Sequence, residues 1–347
     1  METIETRAPT SLWARWTELK SREAGVRARD AAKTLGVSEA ELVACTPGVV
    51  RVGDDWATIL EAIPTLGEVM ALTRNEGVVS EVIGRYESVE INRSMAMGQV
   101  VGHPIDLRVF LRGWSSGFAL NETVRGEARR SLQFFNAQGT AVHKVFLREG
   151  GDVAAFDALV ETHRRPEGEA LTVEPAAKPA PEKPDAEVDV AGLTAGWDAL
   201  TDTHEFFGLL RRFGVAREQA LRLAGTERAE PLAGGVLQTL LETASAREVS
   251  IMVFVGSPGM IQIRKGVPRR VKVLGDWVNV LDPDFNLHAH APTIARAWRV
   301  KKPSHGKTVT SVELYDAAGE NLALIFGERI DGAWDSQGWS ELAASLR

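Results

Sequence analysis

Residues 131–146 read SLQFFNAQGTAVHKVF, and residues 311–326 read SVELYDAAGENLALIF. The two stretches match position for position at an offset of 180 residues. The first has the pattern of a β-hairpin, with an apolar strand, an Asn-Ala-Gln-Gly turn and a second apolar strand. A match between segments so far apart indicates that the chain contains two copies of one unit.

Further matches extend both copies. Gly36-Val37-Ser38-Glu39 corresponds to Gly214-Val215-Ala216-Arg217, Glu68-Val69 to Glu248-Val249, and Gly77 and Gly84 to Gly259 and Gly266. Each copy is a helical segment followed by alternating or β-branched segments that glycines separate. We therefore predict a duplicated α+β fold with antiparallel sheets and a ligand-binding cleft between the halves.

Local signals in the first copy predict where helices begin and end. Residues 11–46 have helical periodicity that is interrupted at Gly36, and Ser38 has the position of an N-cap for a short third helix. The segment WATILEAIPTLG continues the helical part, and Pro64 is expected to stop it.

The segment from residue 166 to 189, PEGEALTVEPAAKPAPEKPDAEVD, differs from the rest of the chain. It has five prolines and many charges but no apolar periodicity, which is typical of an extended, solvated linker. The chain is therefore predicted to consist of a first repeat at 1–165, a linker at 166–189 and a second repeat at 190–347.

Composition narrows the class of protein. Forty-seven acidic against forty basic residues give the 347-residue chain a formal net charge of −7, which argues against a nucleic-acid-binding surface.

Cys45 is the one cysteine. A single cysteine favours a reducing compartment, and Cys45 is most simply a small, partly buried apolar residue. The first residues lack the apolar core of a signal peptide, and no run approaches the ~20 apolar residues of a membrane span. We expect a cytoplasmic protein.

Motifs of several common enzyme classes are absent from the sequence. It has no GxGxxG after a strand, no P-loop, no GxSxG and no HExxH. Of the seven histidines, only His288 and His290 are close enough to suggest a shared site, and they would point the same way from a strand. Without a nearby carboxylate or thiol, a two-histidine metal site there is the weaker interpretation.

The stretch WDALTDTHEFFGLLRRFGVAR, from Trp197 to Arg217, places His204 in an amphipathic helix. If Asp202 caps this helix and Glu205 completes a capping box, His204 lies in the first turn. The positive helix end then favours the neutral imidazole that binds metals. If the helix begins at Trp197 instead, that argument fails. From chemistry alone, a core or surface histidine is the more common role.

Several segments together resemble a known family. They are WDALTDTHEFFGLLRRFGVAR, EVSIMVFVGSPGMIQI, AWRVKKP, TVTSVELYDAAG and IFGER, with IDLRVF from the first half. On these segments the chain is similar to the bacterial hemin-degrading factor family, the cytoplasmic haem-handling proteins HemS, ChuS and HmuS. The resemblance covers essentially the whole chain, including the duplication and the linker.

The resemblance implies two similar halves, each with a large antiparallel sheet flanked by helices, and haem in the cleft between them. It makes His204, in the second repeat, the proximal axial ligand of the haem iron. It makes Arg108, from IDLR in the first repeat, a distal and catalytic arginine. Because arginine keeps its proton, Arg108 would be a fixed hydrogen-bond donor on the sixth-ligand side.

Further pocket residues follow from the same resemblance. Arg217, Lys302 and Arg329 are implied as propionate and pocket contacts, although each is by default an ordinary solvated charge. Phe254 is implied as an aromatic residue of the haem pocket. Phe326 stands where relatives carry a tyrosine before Gly-x-Arg, so one hydroxyl hydrogen bond is lost and the propionate anchor there would be weaker or supplied by another group.

Two functions in iron acquisition use this set of residues. In the first, which we favour, the protein degrades imported haem by opening the tetrapyrrole with an external electron donor and releasing iron. In the second, it is a carrier that takes haem from an uptake transporter and delivers it intact to a separate haem oxygenase. A haem-free interaction protein is a third and weaker hypothesis.

Overall fold

The computed structural model describes residues 11–23, 25–124, 126–166, 168–176, 181–329 and 335–347. Helices in this part of the chain are α1 Leu12–Arg22, α2 Ala28–Leu35, α3 Glu39–Ala44, α4 Trp56–Ala62, α5 Val153–His163, α6 Val190–Asp198, α7 Phe206–Phe213, α8 Arg217–Leu223, α9 Val236–Ala246 and α10 Gln337–Ser345. None of these described helices has both the length and the apolar content that crossing a bilayer would need.

The strands follow the helices in each half, as the repeat predicts. They are β1 Val50–Val52, β2 Gly67–Arg74, β3 Val78–Gly84, β4 Ser88–Asn92, β5 Met97–Val101, β6 Asp106–Phe110, β7 Ser116–Val124, β8 Glu127–Phe135, β9 Ala141–Gly151, β10 Ala229–Leu232, β11 Ile251–Ser257, β12 Met260–Gly266, β13 Val271–Leu274, β14 Trp277–Leu281, β15 Phe285–His290, β16 Arg296–Ser304, β17 Lys307–Tyr315 and β18 Asn321–Gly327.

These strands form two nine-stranded antiparallel sheets. The first sheet has the order β1-β7-β8-β9-β2-β3-β15-β14-β13, and the second has the order β10-β16-β17-β18-β11-β12-β6-β5-β4. The two orders are equivalent under the duplication. Six strands of each sheet therefore come from one half of the chain and three come from the other.

This exchange of strands interlocks the two halves, which the sequence did not predict. Strands β4, β5 and β6 of the first half complete the second sheet, while β13, β14 and β15 of the second half complete the first. At the junctions, β6 pairs with β12 and β15 pairs with β3. Each pairing satisfies the backbone donors and acceptors of a strand edge that would otherwise be open. The antiparallel sheets and the duplication are confirmed, and each sheet is shared between the halves.

Local sequence signals are confirmed at most positions. Ser38 caps α3 in a capping box completed by Glu41, and Gly36 ends α2 with a left-handed φ of 70°. Gly139 closes the predicted hairpin turn between β8 and β9, also with φ 70°. Pro64 differs from expectation, because a 3-10 turn continues through it after α4 ends. Proline is tolerated there since it lies in the first turn of a new helical segment.

The main hydrophobic core lies between the inner faces of the two sheets, where β11 and β12 approach β2. Val69 of the first sheet and Val253 of the second are among its buried side chains. Helices α6, α7 and α8 pack instead on the outer face of the second sheet. There, Trp197 and Phe206 form a separate cluster with Tyr315 of β17. This separate cluster positions α6 and α7, and the segment between these two helices carries His204, the candidate iron ligand.

A buried chain of polar side chains crosses from one sheet to the other. Gln262 of β12 donates to the carbonyl and hydroxyl of Ser80, each at 3.0 Å, and accepts from the Thr73 hydroxyl at 3.1 Å. The Thr73 hydroxyl also lies 2.9 Å from Nδ1 of His143, whose Nε2 lies 2.6 Å from the Tyr86 hydroxyl. Burial lowers the pKa of His143 to about 3, so the ring is neutral and serves as one donor and one acceptor.

Gln262→Leu is expected to lower the free energy of unfolding by about 1–3 kcal/mol, because polar groups of Thr73 and Ser80 lose their partner in a dry interior. Urea denaturation followed by tryptophan fluorescence measures this change. Gln337→Leu, at an exposed position of α10, is the matched control and should remain close to the wild type. Equal unfolding midpoints for the two variants would show that the network contributes little.

Candidate functional site

Strand register places four candidate side chains, those of Arg108, Phe254, Lys302 and Phe326, on the outer face of the second sheet. Residues directly opposite in antiparallel strands share a face, as does every second residue along a strand. Applied to the paired residues from β16 through β17, β18, β11 and β12 to β6, this rule places all four side chains on the same face. Arg108 reaches this sheet because β6 is exchanged between the halves.

The outer face over β18, β11 and β12 presents an apolar floor. The rings of Phe254 and Phe326 meet edge to face, with 5.2 Å between their centroids and 66° between their planes. Met252, Leu324 and Ile261 lie on the same face and are also only partly buried. This floor is a surface that a flat apolar molecule can cover.

His204 projects from the loop between α6 and α7. Asp202 caps a 3-10 turn, Thr203–Glu205, that leads into α7, and Glu205 completes the capping box. Because α6 ends at Asp198, His204 lies in the first turn of a new helix, which confirms the first of the two predicted alternatives. Its side chain is 87% exposed, and its Nδ1 lies 2.6 Å from Asp202 Oδ1. The ring is therefore anchored through one nitrogen and accessible.

Arg217 and Lys302 converge on one buried carboxylate, that of Glu313. Its Oε1 accepts from Lys302 Nζ at 2.7 Å and from Arg217 Nη2 at 2.8 Å, and its Oε2 accepts from Arg217 Nε at 2.8 Å. The Tyr315 hydroxyl donates to Oε2 at 2.6 Å. Burial would raise the pKa of Glu313, but the charges of Arg217 and Lys302 hold it well below its usual range. Burial lowers the pKa of Lys302 to about 8, although Glu313 opposes that shift.

These contacts distinguish the two cations that were predicted to meet the propionates. Lys302 has only 5% of its side chain exposed and lies 4.6 Å from the ring of Phe206 in α7. Arg217 keeps 29% of its side chain exposed. An anion outside this cluster can therefore reach the exposed part of Arg217, whereas the enclosed Lys302 ammonium contacts Glu313. Propionate contact by either residue stays a prediction.

Arg108 is held by neighbours on its own strand. Its Nη1 donates to the buried carboxylate of Asp106 and to the carbonyl of Leu107, the latter at 3.0 Å. Lys265 of β12 lies 3.3 Å from the other oxygen of Asp106. Two cations thus share one carboxylate at this end of the floor, which leaves a net positive charge, and Arg108 keeps 38% of its side chain exposed.

The remaining candidates are Arg329, His288 and His290. Arg329 follows β18 by two residues and is exposed. His288 and His290 lie on the first sheet, where their Nδ1 atoms are bound to Asn279 Oδ1 at 2.7 Å and Thr293 Oγ1 at 2.8 Å. Among the described residues, no group of three or more His, Cys, Asp or Glu side chains is arranged to hold a metal ion.

The corresponding place in the first half carries the opposite charges. Glu39, which matches Arg217 in the repeat, forms an ion pair with Lys144 at 2.5 Å. The buried acid Glu313 matches a glutamine, Gln133, at the repeat offset. Glu313 forms ion pairs with two cations, whereas Glu39 forms one with Lys144, so the two copies differ in charge at this place.

Sequence reasoning missed Glu313, Tyr315, Asp106 and Lys265. A signal for Glu313 was present in SVELY, where strand alternation puts the acid and the tyrosine on one face. Asp106 precedes Arg108 by two residues and so shares its face by the same rule. Lys265 had no comparable signal, because its contact depends on the pairing of β12 with the exchanged strand β6.

A family model described as the haemin-degrading HemS.ChuX domain matches this chain twice, over residues 36–163 and 214–346. The chain belongs to the haemin-degrading HemS/ChuX family. The double match agrees with the predicted duplication. Arg108 and Lys302 lie inside the matched segments of this family, whereas His204 lies between them.

Members of this family with similar length cover nearly the whole chain. Hemin transport protein HmuS of Yersinia pestis is 38% identical over 340 residues, 97% of each chain. The crystal structure of holo-PhuS, a haem-binding protein from Pseudomonas aeruginosa, has a TM-score of 0.94 and 46% identity and covers 98% of this chain and 99% of its own. The structure of ChuS, an Escherichia coli haem oxygenase, has a TM-score of 0.87 and 33% identity and covers 97% of this chain and 99% of its own.

Proposed function

We propose that the protein binds haem on the outer face of the second sheet, with His204 as the axial ligand of the iron. The observation that carries this proposal is His204 itself, an exposed imidazole anchored through Nδ1 by Asp202. Neutral imidazole is a standard ligand of haem iron. The 46% identity to holo-PhuS over 98% of the chain supports the proposal.

The surrounding side chains suit each part of a haem. The ring is flat and apolar, as is the floor around Phe254 and Phe326. The propionates are anionic, and Arg217 and Arg329 offer cationic groups with exposed surface. Lys302 is buried, and it contributes positive charge to the site through its ion pair with Glu313. Since Phe326 has no hydroxyl, the contact made by the family tyrosine falls to these cations.

We further propose that the protein works in the cytoplasm and degrades this haem, opening the tetrapyrrole and releasing iron with electrons from an external donor. The haem, as substrate, supplies the redox-active iron. Arg108 would face the side of the ring opposite His204 and act as the catalytic residue. Asp106 and the Leu107 carbonyl hold its Nη1, so the guanidinium is a positioned donor that keeps its charge. The description of ChuS as a haem oxygenase supports this reaction class.

Arg108→Ala is expected to slow haem turnover by about 100-fold or more, because a positioned donor to developing negative charge is lost. The loss of haem absorbance with ascorbate as reductant in air measures the rate. Arg112→Ala, at an exposed position four residues along the chain, is the control and should keep the wild-type rate. Wild-type turnover in Arg108→Ala would show that the catalytic role is wrongly assigned.

A carrier is the second candidate function, and the names of two relatives favour it. HmuS is called a hemin transport protein, and PhuS is called a haem-binding protein. Such a carrier would receive haem from an uptake transporter and pass it intact to a separate haem oxygenase. Product analysis after adding reductant to the haem complex, under air and under nitrogen, separates the two. An opened tetrapyrrole with free iron supports degradation, whereas intact haem recovered under both gases supports the carrier.

A further inference from the structure

The Asp202 carboxylate is hydrogen-bonded to His204 and lies near His305. Its Oδ1 accepts the backbone N–H of His204 at 2.8 Å and lies 2.6 Å from Nδ1 of the same residue. Its Oδ2 lies 3.7 Å from Nε2 of His305, at the tip of the β16–β17 hairpin. The backbone N–H of His305 donates to the Thr201 carbonyl at 2.7 Å, so the hairpin tip is fastened to the loop that carries Asp202.

The contact with Asp202 decides which ring nitrogen of His204 is available. A carboxylate only accepts hydrogen bonds, so Nδ1 carries the proton in this contact. The neutral ring then has its lone pair on Nε2, on the other side of the ring from Asp202. Histidines that bind metals commonly donate their second N–H to a carboxylate, which orients the ring and raises its basicity.

Helix capping does not require the negative charge of Asp202. An N-cap needs only an oxygen acceptor, and asparagine serves about as well as aspartate. The charge matters at the contact with Nδ1 of His204, since a carboxylate attracts the Nδ1 proton more strongly than a neutral amide oxygen does. Charge and capping can therefore be separated by a single substitution.

We propose that Asp202 is a positioning residue that sets the donor strength of His204 toward iron. This inference rests on the proposed binding of haem at His204. A stronger pull on the Nδ1 proton leaves more electron density at Nε2, which stabilises ferric over ferrous iron.

The test compares haem complexes of the full-length wild type and Asp202→Asn. The variant should keep the helix cap, bind ferric haem about 10–100-fold more weakly and have a more positive Fe(III)/Fe(II) midpoint potential. Resonance Raman spectra of its ferrous complex should show a lower iron–histidine stretching frequency. Asp198→Asn, which changes a neighbouring carboxylate paired with Arg228, is the matched control and should leave all three quantities unchanged.

His305→Asn, which removes the imidazole 3.7 Å from Asp202 Oδ2 and keeps a residue type that tolerates positive φ, is a second control. It should leave the midpoint potential close to that of the wild type, because 3.7 Å is beyond hydrogen-bond distance. A shift in His305→Asn as large as that in Asp202→Asn would overturn the assignment to Asp202. Wild-type potential and stretching frequency in Asp202→Asn overturn the role of Asp202 and leave haem binding standing. A wild-type complex without an iron–histidine band overturns the proposed ligand, and this inference with it.

Discussion

Glu313→Gln is expected to lower the free energy of unfolding by about 3–5 kcal/mol, because removing one member of a buried ion pair leaves its partners uncompensated. The Glu313 carboxylate is fully buried and accepts from Arg217, Lys302, Ser311 and Tyr315. Glutamine keeps the size of the side chain but not the charge, and in either orientation its amide nitrogen would face a cation, Lys302 or Arg217. Chemical denaturation followed by tryptophan fluorescence and circular dichroism gives the free energy.

Glu320→Gln is the matched control, since Glu320 is an exposed acid in the turn after β17. It should change the free energy of unfolding by less than about 0.5 kcal/mol. If Glu313→Gln unfolds at the same denaturant concentration as Glu320→Gln, the buried cluster does not stabilise the fold.

The acid dependence of stability provides a second readout for Glu313. The folded-state pKa of Glu313 is held below its ordinary value of 4.5 by Arg217 and Lys302. A depressed carboxyl pKa contributes stability that is fully present above the unfolded-state value and is lost as pH falls through the folded-state value. The wild type should therefore lose this contribution below pH 4.5, and Glu313→Gln should lack that part of the acid dependence.

His204→Ala is expected to remove the absorption bands of histidine-ligated haem. Ferric haem affinity should fall by more than the about 10–100-fold expected for loss of a residue that only supports the ligand. The fold should survive, because the His204 side chain is 87% exposed and the Asp202 cap bonds to backbone N–H groups. Titration with ferric haem, followed in the Soret region, measures both effects.

His163→Ala tests whether the effect is specific to His204. His163 is a half-buried histidine at the end of α5, in the first half of the chain, and its replacement should leave the Soret maximum unchanged. A full-strength wild-type spectrum in His204→Ala would show that another residue binds the iron. A wild type without any Soret shift would favour a protein that does not bind haem.

The duplication and most local elements could be predicted because their signals lie within a few residues of one another. The capping box at Ser38, the left-handed turn at Gly36 and the hairpin around Gly139 each depend on short-range backbone preferences. The Asp202 cap, which decides that His204 begins a new helix, is of the same kind. The double family match supports the repeat that these patterns indicated.

The composition of the candidate site could be predicted only in part. The resemblance named Arg108, Lys302 and Phe254, but it did not indicate that all three share one face of one sheet. Lys302 looked like a solvated charge, yet it is buried against the Glu313 carboxylate. Burial of this kind depends on α7 packing over β16, which no pattern within AWRVKKP reveals.

By itself, the sequence determined the two copies, most of their helix caps and hairpins, and a histidine, His204, that has no histidine counterpart in the first copy. Only the tertiary structure decided that β6 joins the second sheet and that Arg217 and Lys302 share Glu313. The physical reason is that caps and turns are set by neighbouring residues, whereas strand partners and buried ion pairs depend on contacts between segments far apart in the chain. Arg108 faces the same surface as Phe254 because β6 pairs with β12.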